Sequence, residues 1–161
     1  MLREIMDNKG KAEAFHKIFF PPKPAESTVP VDFNYPEPLP SPDTITKDQI
    51  VRHIKALSSY KASGPDKIPN IVLQEATELI MDYLDHIYRA IICLGLYVNS
   101  WRDFTMVVIW KPGKPDYVIP KAYRPIALLC TMAKLLTSIV AADISNMVES
   151  EELLPGNHYG G

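Results

Sequence analysis

The chain has 161 residues, a formal net charge of −2 and a pI near 6.1, with 47% hydrophobic and 22% charged residues. That length and balance fit one modest globular core. They exclude a global positive field able to hold nucleic acid, so any contact with a polyanion has to be local.

Cys93 and Cys130 lie in apolar surroundings, and neither has a Cys or His partner at metal-ligand spacing. Both read as buried, reduced thiols of an intracellular protein, nuclear or cytoplasmic. The opening M-L-R-E-I-M-D-N-K-G has no sustained apolar run, and no segment reaches the length of a membrane span, so neither secretion nor membrane insertion is expected.

From the amino terminus, Ala12, Phe15, Ile18 and Phe19 recur at helical spacing, weakened upstream by Gly10; one short helix from Lys11 to Phe20 is expected within an N-terminal segment, 1–20. Proline then dominates residues 21–45, removing backbone donors and favouring an extended linker or strap. Thr46 and Gln49 have capping-box spacing ahead of Ile50, Val51, Ile54 and Leu57, which predicts a helix from Lys47 to about Ser58. The segment S-S-Y-K-A-S-G-P-D-K-I-P-N-I-V-L follows. Gly64 and Pro65 stop a helix there, Pro69 starts another, and Asp66 has the spacing to hydrogen-bond its own backbone.

From Asn70 to Leu94 the positions Val72, Leu73, Ala76, Leu79, Ile80, Tyr83, Leu84, Ile87, Ile91 and Ile92 track a helical face, and Gly95 suits the residue after its end. The expectation is one long helix, or two with a kink near Thr77. Asp82 and Asp85 lie one turn apart; they read as the wet face rather than a metal site. Trp101 and Trp110 read as packing anchors around a strand from Thr105 to Trp110. Beyond it, Cys130 or Thr131 opens a helix whose stripe is Leu135, Leu136, Ile139, Val140, Ile144 and Met147.

Charge and turn chemistry converge between Trp110 and Leu129, W-K-P-G-K-P-D-Y-V-I-P-K-A-Y-R-P-I-A-L-L. Pro112 and Gly113 suit the central positions of a type II turn, so Lys111 and Lys114 become its outer residues with α-carbons within about 7 Å. Arg124 precedes Pro125, which biases it towards extended backbone. Arginine offers a planar fork and lysine a mobile point charge, a combination suited to a polyphosphate. Each such contact gains about 4 kcal/mol at 4 Å and an effective dielectric of about 20, before desolvation. The alternative is a solvated hairpin tip with Arg124 paired to Asp116.

K-P-G-K-P-D followed by A-Y-R-P-I-A-L-L resembles the nucleotide-binding hairpin in the fingers of reverse transcriptases from non-LTR, LINE-type retrotransposons. Lys61, Ala62, Gly64, Pro65, Asp66, Ile68 and Pro69 match that family's first core block, K-A-x-G-P-D-x-I-P, and D-N-K-G-K-A-E-A-F-H-K-I-F-F-P-P resembles more loosely the segment preceding the core. Ala127 stands where the family usually has Ser. The resemblance implies an α+β fold, mainly helical with one antiparallel β-hairpin, forming the fingers part of a right-hand polymerase. It makes residues 46–161 a truncated fingers region and places Lys111, Lys114 and Arg124 on the triphosphate of a deoxynucleotide. It also implies an RNA template, a DNA primer and, for the full-length enzyme, Mg²⁺. The family's catalytic aspartates, including a later F/Y-x-D-D turn, have no counterpart in these residues, so no catalytic or metal residue is assigned and the polypeptide alone is expected to be inactive, its palm domain missing. The other readings are a non-catalytic nucleic-acid-binding or protein-interaction module derived from a retroelement, and a degenerate reading frame. Incomplete burial of the two long helical stripes would favour a fragment over a self-sufficient domain.

Overall fold

The computed structural model describes residue 5, residues 7–26 and residues 44–153, with positions 30, 32, 34, 37 and 38 between them. About half of the proline-rich linker therefore falls outside the described residues, as does the terminal G-N-H-Y-G-G. The elements run α1 (Asn8–Phe19), α2 (Lys47–Ala56), α3 (Asn70–Glu75), α4 (Thr77–Leu94), β1 (Phe104–Trp110), β2 (Tyr123–Leu129) and α5 (Thr131–Ser150). Short 3₁₀ turns occupy Asn99–Trp101 and Pro120–Ala122. β1 and β2 make a two-stranded antiparallel sheet in an otherwise helical chain. Two compact units result, one of α1 with the hairpin body Met106–Ile126, the other containing α2 to α5.

In the first unit, α1 begins earlier than its apolar spacing suggests. The Asp7 carboxylate accepts the Gly10 N–H at 2.8 Å, satisfying a donor that the first turn leaves unpaired and carrying the helix through Gly10. Phe15 stacks on Phe19 at 5.7 Å and meets Tyr123 edge-on at 5.1 Å. Tyr123 continues to Tyr117 at 6.2 Å and Tyr117 to Trp110 at 5.8 Å, a run of rings joining α1 to the hairpin.

In the second unit, α2 opens on the expected capping box: Gln49 N–H donates to Thr46 Oγ1 at 3.2 Å and Thr46 N–H to Gln49 Oε1 at 2.8 Å. Its Ile50 and Ile54 are buried in a core with Leu73, Leu84, Tyr88, Trp101, Leu135, Leu136 and Ile139. The kink near Thr77 is a break at Ala76, where the Thr77 hydroxyl donates back to Leu73 O and Gln74 O. Gly95, at φ 59°, ends α4, and Leu96 N–H returns to Ile91 O at 3.2 Å.

Four sequence expectations change. Asp85 is buried, not on the wet face, and accepts Arg89 Nε at 2.7 Å. The apolar residues of α4 cover more than one face, so Leu84 and Tyr88 enter the core while Leu79 is 81% and Tyr83 72% exposed. Cys93 is exposed and only Cys130 is buried, with burial raising the Cys130 thiol above its ordinary pKa. Trp101 is a packing anchor, but Trp110 is 65% exposed and holds only an edge contact to Tyr117.

The G-P-D loop latches onto the start of α5. A Cβ on Gly64 would stand 2.3 Å from Leu129 C and O and 2.5 Å from Cys130 N, so only glycine fits that backbone approach. Asp66 Oδ1 accepts its near neighbour Ile68 N–H at 3.3 Å, as its spacing implies. Asp66 Oδ2 also accepts the Thr131 N–H at 2.9 Å, putting a carboxylate on the first turn of a 20-residue helix. Lys134 Nζ closes the latch on Ala62 O at 2.6 Å.

Candidate functional site

The hairpin places its cations through register. Lys111 N–H donates to Ala122 O at 2.8 Å, which sets these residues opposite each other. Side chains alternate with a period of two, so Ile109 lies opposite Arg124, and Val107, Ile109 and Lys111 share one face of the ribbon with Ala122, Arg124 and Ile126. Arg124 is then the diagonal neighbour of Lys111, at a spacing of about 7–8 Å between backbones. The same alternation turns the Pro125 nitrogen away from β1, so its missing donor breaks no ladder bond. Val107, Ile109 and Ile126 are each about two-fifths exposed, which leaves the ribbon open beside Arg124, whereas Ala122 at the Lys111 end is buried.

At the tip, Gly113 has φ 74°, as the third position of a type II turn requires. The span between Lys111 O and Lys114 N–H is bridged by the Tyr117 hydroxyl, which donates to Lys111 O at 2.9 Å and accepts Lys114 N–H at 3.4 Å. Tyr123 Oη in turn donates to Tyr117 O at 3.1 Å. Tyr117 thus sets the turn that carries two of the three cations. A residue six positions beyond Lys111 gives no local turn signal, so sequence reasoning passes over it.

The three cations have different surroundings. Lys111 is half-buried and its Nζ donates to Lys121 O at 2.9 Å, a neutral partner that leaves its charge uncompensated. Lys114 and Arg124 are exposed, and among the described residues their side chains make neither a hydrogen bond nor an ion pair. The pairing of Arg124 with Asp116 is absent: Asp116 Oδ1 instead accepts Val118 N–H at 2.8 Å. Register brings Lys111 and Arg124 to one face, with Lys114 on the exposed side of the bend.

Four carboxylates elsewhere are individually occupied. Asp66 holds the α5 terminus, Asp85 pairs with Arg89, Asp82 with Lys47, and Asp143 accepts from Gln49 Nε2 at 2.9 Å. Among the described residues no group of three or more His, Cys, Asp or Glu side chains is placed to hold a metal ion. These residues therefore do not fit the magnesium site implied by the family resemblance. No described helix is long and apolar enough to cross a membrane.

No family model matches the chain. It is similar to a probable RNA-directed DNA polymerase from transposon BS of Drosophila melanogaster, 32% identical over 116 residues, which is 72% of this chain and 13% of that protein. A probable RNA-directed DNA polymerase from the X-element of the same organism is 30% identical over 112 residues, 70% of this chain and 12% of the relative. The RNA-directed DNA polymerase from mobile element jockey of Drosophila funebris is 24% identical over 149 residues, 92% of this chain and 16% of the relative. The chain thus spans about an eighth of the length of the first two curated relatives.

Proposed function

We propose that this chain, a relative of the RNA-directed DNA polymerases of non-LTR retrotransposons over most of its length, serves as the nucleotide-positioning fingers region in RNA-templated DNA synthesis. The observation that supports the reading is the bond from Lys111 N–H to Ala122 O, which makes Lys111 and Arg124 neighbours across the hairpin, with Arg124 exposed. In this account the Arg124 guanidinium grips a phosphate of an incoming deoxynucleotide with two parallel N–H donors. Lys111 and Lys114 add charge from the turn, and the Tyr117 bridge fixes their separation. These residues bind and orient; no bond-making step is assigned to them. The template is RNA and the primer DNA, both adjoining the bound nucleotide.

The test compares the wild-type chain with Arg124→Ala in equilibrium binding of dATP and of inorganic tripolyphosphate. Losing a charge-assisted bidentate contact weakens binding roughly tenfold or more, and wild-type affinity falls as salt rises. Unchanged affinity in the variant removes Arg124 from the site. A second reading, a non-catalytic nucleic-acid-binding or protein-interaction module, draws on the exposed apolar side chains of α4. It predicts RNA affinity insensitive to Arg124.

A further inference from the structure

The outer face of α4 has no partner among the described residues, although it is built like a helix-packing seam. Ala76, Leu79, Tyr83, Ile87, Ala90 and Leu94 recur every three or four residues along it, the spacing at which side chains line one side of a helix. Leu79, Tyr83 and Leu94 are 81%, 72% and 67% exposed, a run of large apolar side chains that isolated surface positions do not explain. The N-terminal end of the seam continues into a shallow groove at Ile71 and Val72, and the C-terminal end into another walled by Leu96 and Val98.

We infer that this seam pairs with the same seam of a second copy, the two α4 helices running antiparallel. Self-complementarity selects that occupant. With the two-fold axis beside residue 85, Tyr83 of one copy lies opposite Ile87 of the other. Leu79 then lies within one residue of the position opposite Ala90, and Ala76 lies opposite Leu94, so seam residues meet seam residues. The polar flank is equally matched. Its N-terminal half carries Glu75 and Asp82, and its C-terminal half carries His86 and Arg89. A two-fold axis of this kind keeps the polar flanks of the two helices on the same side, so the acidic half of each faces the basic half of the other. A parallel pair, related by an axis along the helices, would carry the two polar flanks to opposite sides and leave these charges unmatched. Asp82 holds Lys47 and Arg89 holds Asp85 within one chain. Each retains capacity for an outside partner, because the Arg89 fork binds Asp85 through Nε alone. The inference does not depend on the nucleotide-binding reading, since none of its residues belongs to the hairpin.

Sedimentation equilibrium of the full 161-residue chain, with a thiol cross-linking arm, tests the pairing. The wild type is expected to form a dimer, and Tyr83→Lys and Leu79→Glu to be monomers with unchanged circular dichroism, since both side chains already face outwards. Glu75→Cys lies opposite the native Cys93 of the other copy, so a short thiol cross-linker should join them into a covalent dimer. Within one chain the two positions are 18 residues and about 27 Å apart along the helices, beyond its reach. Adding Cys93→Ser should abolish the product. A wild type that stays monomeric at every concentration overturns the inference, as does a dimer that survives Tyr83→Lys. Cross-linking of Cys93 to Cys93 in the unsubstituted chain indicates parallel pairing and overturns it equally.

Discussion

Replacing Gly64 with alanine should destabilise the chain far more than one added methyl group suggests. The new Cβ would sit 2.3 Å from the Leu129 carbonyl carbon and oxygen and 2.5 Å from the Cys130 nitrogen. All three are backbone atoms, so no rotamer change relieves the collision. The loop must retreat from the start of α5, and forcing atoms into a packed site costs about 1–3 kcal/mol. Retreat also stretches the 2.9 Å bond from Thr131 N–H to Asp66; a carboxylate capping a helix start contributes about 1 kcal/mol. The two effects together come to about 3 kcal/mol, a sizeable fraction of the roughly 5–15 kcal/mol that holds a domain folded. At this chain length that lowers Tm by roughly 6–12 °C. The assay is urea and thermal unfolding followed by circular dichroism. Gly113→Ala serves as the comparison: it meets no atom within 4 Å and pays only for φ 74°, about 1 kcal/mol. If Gly64→Ala is no more damaging than Gly113→Ala, the latch is not holding α5.

Other perturbations separate the remaining contacts. Asp66→Asn keeps the loop's shape but removes the charge at the α5 terminus, and should lower stability by about 0.5–1 kcal/mol, measured by the urea midpoint. Lys67→Gly should raise stability by about 1 kcal/mol in the same assay, because Lys67 occupies φ 55°, where a Cβ is unfavourable. Tyr88 donates to Met132 O at 2.8 Å from within the core, and burial raises its phenol above the ordinary range near 10. Its folded pKa exceeds the unfolded one, so its contribution is complete below pH 10 and is lost as pH rises towards the folded value. Alkaline unfolding should therefore steepen above pH 10, and Tyr88→Phe should flatten that slope without abolishing it, since the Cys130 and Lys47 shifts act in the same direction. An unchanged slope in Tyr88→Phe contradicts this.

Local signals were the legible part of the fold. Thr46 and Gln49 are three residues apart and satisfy each other's backbone; Gly95 and Gly113 sit where positive φ is needed. These motifs work whatever surrounds them. Asp66 was legible only in part: its bond to Ile68 is local, whereas its bond to Thr131 spans 65 residues and has no sequence period to announce it. Asp85 was misread because α4 is apolar around much of its circumference, so the position opposite one stripe proved to belong to the other. At the hairpin, residue types identified the cations and the strand period fixed their face. The Tyr117 bridge and the turn of Lys111 Nζ onto Lys121 O depend on how the loop closes, which neither composition nor periodicity encodes.

The central claim is that Lys111, Lys114 and Arg124 serve one bound triphosphate. An NMR titration of the chain with dATP, following the Arg124 Nε–H and the ε-methylene signals of Lys111 and Lys114, tests it most directly. The account predicts that all three move along one binding curve with a single dissociation constant. Separate constants for the three side chains, or movement confined to residues outside the hairpin, would contradict it.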